Sequence, residues 1–452
     1  MSYLKSQCIT ICVAAISWVC APHAAGQTLS EDHRFIASDG QSGDSFGQCV
    51  AYADGIIAVG AYHDDDLGNN SGSAYLFDAD TGAQLFKLQP NDGAPNDLFG
   101  QSIALGSGVV AVGAIKHNQS GAVYVFDTST GLQIAKLVSN DIGVGDEFGL
   151  SVAIDNDIVA VGARAHDDSD VNTGGAYLFD VLTGTQLVKL AMENVRPGVQ
   201  FGHSIAIDDG IVVVGAITDY ENGNNSGSVY LFDANTGVLL HKLLAADGSN
   251  GQTFGYSVAI DDHVVAVGAR ADDQNGNQSG SAYLFNAFTG EQILKLLPNV
   301  GGAADWFGSS IGIHRGLVAV GAERGSSVST LPTAYIFEAT TGTQVAELNP
   351  SDLGIDQFFG RSLSMDNDTV AIGALGGTEN AVRTGSAYLF ELPDQLRCHA
   401  NLNGDAALNF FDISAFLKAF AEQDPLADFV EDGAFNFLDV SAFLAEFAAG
   451  CP

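Results

Sequence analysis

Phe148-Gly149-Leu150-Ser151-Val152-Ala153-Ile154-Asp155-Asn156-Asp157-Ile158-Val159-Ala160-Val161-Gly162-Ala163 opens one unit of a motif that the chain carries seven times. The Phe-Gly pairs begin at Phe46, Phe99, Phe148, Phe201, Phe254, Phe307 and Phe359, so the spacings are 53, 49, 53, 53, 53 and 52 residues. A period near fifty with four strand-like runs per unit is the pattern of propeller blades arranged around an axis. In this unit residues 148–154 and 158–163 read as the first two strands, separated by an Asp-Asn-Asp turn. Tyr177-Leu178-Phe179 reads as the third and Gln186 to Leu190 as the fourth, after a Thr183-Gly184 turn. Ala and Gly recur in the second strand because neighbouring blades must approach closely there.

The seventh unit stops after Tyr388-Leu389-Phe390 and lacks a fourth strand, while His33 to Asp39 precede the first unit and match the tail of the others. The N-terminal segment is therefore expected to complete the last blade and close the ring, which removes an open sheet edge.

The Phe-Gly openings and Val-Gly-Ala strands resemble the FG-GAP repeats of integrin alpha-subunit propellers and their bacterial secreted relatives, over roughly residues 33 to 392. The resemblance implies a seven-bladed β-propeller. It departs where integrin-like blades carry an Asp-rich calcium loop between the first two strands. Here that connection is a tight turn such as Asp208-Asp209-Gly210.

Charge is the strongest compositional signal, with 54 acidic residues against 17 basic ones. Such a surface repels nucleic acid and anionic membranes, which need Lys and Arg for neutralisation. Solubility in a salty medium and cation binding both fit the acidity. Residues 1–26 read as a secretory signal, with Lys5, an apolar stretch from Ile9 to Val19 and small residues at Ala24, Ala25 and Gly26. The apolar stretch is too short to span a bilayer. Cys49, Cys398 and Cys451 would remain, and an oxidising destination favours one pairing among them. Cys398 and Cys451 bracket the last domain, whereas Cys49 stands where other units carry Ser and reads as a buried free thiol.

Meander geometry sends the long, acidic 2-3 and 4-1 connections to one face and minimal turns to the other, so recognition is expected on the long-loop face. The third residue of each unit varies while its flanks hold: Gln48, Gln101, Leu150, His203, Tyr256, Ser309 and Arg361. These side chains are candidates for the channel mouth. His63, His117 and His166 fall in similar loops of successive units, but blades lie too far apart for one shared ion. Sugar binding would favour exposed aromatics on this face, and Tyr62, Tyr220 and Trp306 are scattered along the sequence. No Ser/His/Asp or Cys/His arrangement stands out, so the propeller reads as a binder rather than an enzyme.

After Pro393 two near copies follow, Asn409 to Leu417 and Asn436 to Leu444, each behind an acidic or amide-rich loop and each continuing as an apolar-faced helix. The duplication resembles dockerin type I modules with a Cys near the start and a Gly-Cys ending, an EF-hand-like α-helical domain. That resemblance implies calcium held by two twelve-residue loops. The first would use Asn401, Asn403, Asp405, the Ala407 carbonyl, Asn409 and Asp412; the second Asp428, Asp432, the Ala434 carbonyl, Asn436 and Asp439. Asn401 lacks the usual first charge, Ala406 replaces the bend glycine and Val430 removes a ligand, so affinity should be weak. Dockerins dock onto cohesin modules through loop positions ten and eleven, here Phe410 with Phe411 and Phe437 with Leu438. An apolar pair there implies core packing or a partner of different specificity.

The expected organisation is a signal over 1–26, a seven-bladed propeller over 27–392, a linker over 393–397 and a dockerin-like domain over 398–452 with a Cys398 to Cys451 disulfide. The leading function is secreted, non-catalytic recognition or adhesion of a glycan or protein, anchored to a cohesin-like or other extracellular scaffold. The alternatives are a component of polysaccharide breakdown and a structural envelope protein.

Overall fold

The computed structural model describes residues 27–167, 172–192, 196–323, 332–352, 358–379, 382–393, 402, 410–423, 427, 429 and 434–449. Seven antiparallel meanders surround an axis, each with its first strand innermost. Blade one runs Phe46–Ala53, Ile56–Ala61, Ser73–Asp78 and Gln84–Leu88. In blade three the second and fourth strands fall at Ile158–Ala163 and Gln186–Leu190, as the repeat indicates.

Packing lies between blades. One apolar cluster joins Ala160, Leu178 and Leu190 of blade three to Phe201, Val212 and Phe232 of blade four. The Phe of the opening pair meets two aromatics of its own third strand edgewise, as Phe201 does Tyr230 at 5.6 Å and Phe232 at 5.8 Å. The glycines mark where blades touch. A Cβ on Gly268, in the second strand of blade five, would stand 2.1 Å from the carbonyl oxygen of Gly308, the Phe-Gly glycine of blade six. Gly308 itself has φ +85°, which favours glycine. Ser257 Oγ donates to the same Gly308 carbonyl at 2.9 Å.

This clasp recurs around the ring. In blade one the thiol of Cys49 substitutes for the hydroxyl, donating to the Gly100 carbonyl at 3.1 Å. Cys49 is a free thiol, as the sequence suggested, and is half-buried; desolvation pushes its pKa up.

Ring closure follows the expected route. His33–Phe35 pairs antiparallel with Ser386–Glu391, with Arg34 opposite Tyr388, and becomes the outer strand of blade seven. Phe35 is buried with Ala387 and Leu389 of blade seven and Val59 and Phe77 of blade one. An unforeseen feature lies just upstream. Gln27–Leu29 adds a parallel fifth strand to blade six against Gln344–Leu348.

Two 13-residue helices follow, Phe410–Glu422 and Phe437–Ala449. Equivalent residues of the duplication meet between them. The Phe416 and Phe443 rings stack at 4.1 Å with an interplanar angle of 5° and form a small core with Ala427. Among the described residues no helix is long and apolar enough to cross a membrane.

Candidate functional site

Where described, the long loops form a hydrogen-bonded rim. The 2-3 loop of one blade is zipped to the 4-1 loop that leads into the next: Asn69 accepts from the Asn96 amide at 2.8 Å and Ser71 from the Phe99 amide at 3.0 Å. The same pairing joins Asn277 to Ala304 and Ser279 to Phe307.

Much of the loop acidity is spent inside this rim. Asp272 is buried and accepts from Tyr283 Oη at 3.2 Å and Lys295 Nζ at 2.7 Å. Asp64 and Asp219 hold equivalent Tyr75 with Lys87 and Tyr230 with Lys242. Burial pushes the Asp272 carboxyl upward, but the Lys295 ammonium and Ser281 hydroxyl bring it below its usual value. The loop carboxylates thus serve as structural clamps. His117 and His166 stand where Asp64 stands in blade one, bonded through Nδ1 to Asp97 at 2.8 Å and Asp146 at 2.6 Å. His63 is one position out of register with them and contacts Ser45 at 3.2 Å. Among the described residues no group of three or more His, Cys, Asp or Glu is placed to hold a metal ion.

The rim end of the axis breaks the repeat. Three repeat positions supply it: the residue before Phe-Gly, the residue after it, and the residue after Val-Gly-Ala. Arg361 of blade seven pairs with Glu323 of blade six at 3.0 Å. Arg270 of blade five lies 3.9 Å from Glu323, 4.1 Å from the Trp306 ring centroid and 4.8 Å from that of Tyr256, whose hydroxyl it also reaches at 2.8 Å. Arg164 of blade three pairs with Glu147 at 2.7 Å. The His203 ring is 5.0 Å from that of Tyr256. Burial first, then repulsion from Arg164, Arg270 and Arg361, lowers the His203 pKa to about 3, so it is neutral. Tyr62 and Tyr256 are both within electrostatic reach of Arg361.

The residue before Phe-Gly is held left-handed in every blade, including Glu147 (φ 58°), Thr253 (φ 54°), Trp306 (φ 56°) and Phe358 (φ 53°). Each such non-glycine position costs roughly 1 kcal/mol or more. Below the mouth the channel is lined by apolar side chains such as Val50, Ile103, Ile205 and Leu363, around about 260 Å³. The third-position ring is thus confirmed at the mouth for His203, Tyr256 and Arg361. Sequence reasoning missed its partners Arg164, Arg270, Glu147 and Glu323, and treated Tyr62 and Trp306 as scattered, whereas Trp306 lies against Arg270 and Tyr62 within electrostatic reach of Arg361.

The opposite face has minimal turns, yet it is not featureless. Asp208 ends the inner strand of blade four beside Asp155 and Asp261. Burial first, then those two carboxylates, pushes its pKa up to about 6.

Seven matches to the family model described as the FG-GAP repeat cover residues 29–77, 83–126, 132–179, 185–232, 239–285, 291–337 and 343–390. The chain belongs to the FG-GAP repeat family. Each matched FG-GAP unit holds the outer strand of one blade and the inner three of the next, so the sequence repeat is offset from the blade by one strand. That offset is why the first unit must begin with the last blade's outer strand. No curated protein matches the chain.

In the C-terminal helix pair Asp412 and Asp439 are both 0% exposed, and Asn436 and Ala434 lie just ahead of the second helix. Asn436 Oδ1 accepts from the Leu438 amide and Asp439 Oδ2 from the Asn436 amide, each at 2.8 Å, a reciprocal N-terminal cap. Asn401, Asn403, Asp405, Ala407, Asn409, Asp428 and Asp432 lie outside the described residues, as do Cys398 and Cys451. Phe410, Phe411, Phe437 and Leu438 are 73%, 67%, 78% and 56% exposed, so they are not core residues of the helix pair.

Proposed function

We propose that this FG-GAP propeller is a secreted, non-catalytic recognition module, carried to an extracellular scaffold or surface by a calcium-binding, dockerin-like helix pair. The observation that supports it most is the contrast between its two faces. One is closed by short turns; the other is a hydrogen-bonded rim around an asymmetric, half-buried polar mouth drawn from six blades. Recognition needs a preorganised surface that differs from blade to blade, and the rim has both properties.

The anchoring half rests on the duplicated helices. Two fully buried carboxylates at equivalent first-turn positions, Asp412 and Asp439, are the donor type a hard cation takes. Asn401, Asn403, Asp405, Asn409 and the Ala407 carbonyl would join Asp412; Asp428, Asp432, Asn436 and the Ala434 carbonyl would join Asp439. Bound calcium would tie each loop to its helix. The exposed Phe410, Phe411, Phe437 and Leu438 would then meet a cohesin-like partner, in either of two orientations allowed by the duplication.

Calorimetric calcium titration of the full chain tests the metal reading, with Asp405→Ala and Asp432→Ala as controls. Heat in the parent that falls in both variants is the expected result; no heat in the parent ends it. The full chain should also retain a protein from its native extracellular fraction, and replacing Phe410 and Phe437 by Ser should abolish that retention. Unchanged retention would refute the docking role.

A further inference from the structure

The axial mouth carries more specific information than recognition in general. In a chain with 54 acidic and 17 basic residues, three arginines converge there against two glutamates. The local balance is one positive charge, enough for one carboxylate and too little for a phosphate dianion. Guanidinium groups are planar forks suited to carboxylates, and Arg270 is already fixed between two aromatic rings, so little freedom is lost on binding.

Three buried polar atoms in this ring have no partner among the described residues: Arg270 Nε, His203 Nδ1 and Gln48 Oε1. Gln48 is 8% exposed and occupies the third position of blade one, next around the ring from Arg361. A buried polar atom left without a partner costs about 1–3 kcal/mol, so three at one place need an explanation. Their chemistry is mixed. Arg270 Nε can only donate, whereas Gln48 Oε1 can only accept, and a bare carboxylate cannot satisfy it. A ligand that met both would carry a carboxylate and hydroxyl donors. Tyr62, Tyr256 and Trp306 are half-buried beside these groups, with Arg270 lying over the rings of Tyr256 and Trp306. A depression of about 430 Å³ lined by Pro95, Ile115, Lys116, Val144 and Glu147 adjoins the Glu147–Arg164 pair and offers room for further units.

We propose that the mouth binds a uronate, a sugar ring bearing one carboxylate, with Arg270 and Arg361 on the carboxylate and Gln48 and His203 on the ring hydroxyls. This rests on the reading of the propeller as a recognition module and names the class of its ligand.

Trp306 supplies the readout. With Trp18→Phe in the full chain it is the sole indole. Trigalacturonate and trimannuronate are titrated against this fluorescence, beside methyl-esterified trigalacturonate and inorganic phosphate. A saturable change is expected with at least one uronate, at least tenfold weaker for its ester and none with phosphate. Arg270→Gln and Gln48→Leu should each weaken binding tenfold or more, about 1.4 kcal/mol. Gln48→Leu discriminates most, because removing an orphaned acceptor should leave thermal stability unchanged or raised while binding falls. Equal affinity for ester and acid, tighter binding of phosphate, or indifference to both variants would overturn the assignment. So would no response to either uronate. If the chain carrying Phe410→Ser and Phe437→Ser then still retained other native extracellular material, recognition by the propeller would stand without this ligand.

Discussion

Gly268→Ala puts the interblade clasp to the test. The added methyl would lie 2.1 Å from the Gly308 carbonyl oxygen and 2.3 Å from Ser257 Oγ, and one of those is backbone. Neither blade can retreat alone, because each is held on its other side by the same contact. Forcing one methylene into a packed site costs about 1–3 kcal/mol. Displacing Ser257 from the Gly308 carbonyl adds about 1 kcal/mol. A loss of roughly 2–4 kcal/mol follows, which for about 360 cooperative residues lowers the melting temperature by about 3–5 °C. Scanning calorimetry of the variant beside Gly106→Ala is the measurement. At Gly106 the nearest atom to an added Cβ is 3.4 Å away, so that control should move little. Equal melting temperatures for Gly268→Ala and the parent would show that the blades are not locked through this glycine pair.

Two further outcomes follow from the same structure. Asp208 has its folded pKa raised to about 6, above the unfolded carboxyl, so its ionised form destabilises the protein. The penalty is complete above pH 6 and disappears as pH falls towards 4; Asp208→Asn should therefore stabilise by about 1 kcal/mol at pH 7.5, after discounting for its partial exposure, and by nothing near pH 4. Denaturant midpoints at the two pH values measure it, and a larger gain at pH 4 would reverse the argument. Phe35→Ala should cost about 3–5 kcal/mol, because this ring fills the seam between the last and first blades and meets Phe77 at 5.3 Å. A melting temperature no lower than that of the exposed-site control Leu132→Ala would mean that the N-terminal strand does not hold the ring shut.

What could be read from sequence divides along physical lines. Phe-Gly and Val-Gly-Ala were legible because both are dictated by backbone approach, which permits few residue types at Gly268 or Gly308. Closure was legible because a strand missing at one end and surplus at the other must pair. The parallel Gln27–Leu29 strand was not. It is held by backbone bonds along an outer edge, two of its three side chains are exposed, and no hydrophobic alternation betrays it. The mouth was half legible. The third-position column could be aligned by eye, but Arg270 and Glu323 meet from two blades, 53 positions apart, and only ring geometry brings them together. Aligning the units and reading the columns before Phe-Gly and after Val-Gly-Ala for charge would have found them.

The remaining question is how an anion could approach a molecule this acidic. At physiological ionic strength the Debye length is about 8 Å, so exposed carboxylates beyond the first contacts are largely screened. Rim acids such as Asp64, Asp219 and Asp272 are already engaged, with Lys87, Lys242 and Lys295 respectively. Inside the mouth the balance reverses, since Arg361 and Arg270 share the single buried carboxylate of Glu323, which is 3% exposed. A half-buried charge keeps more of its field than an exposed one, so the local sign and not the total decides what can sit there. Seven near-identical blades would cancel any such preference by symmetry. The departures from the repeat at three columns turn a neutral ring into a directed site.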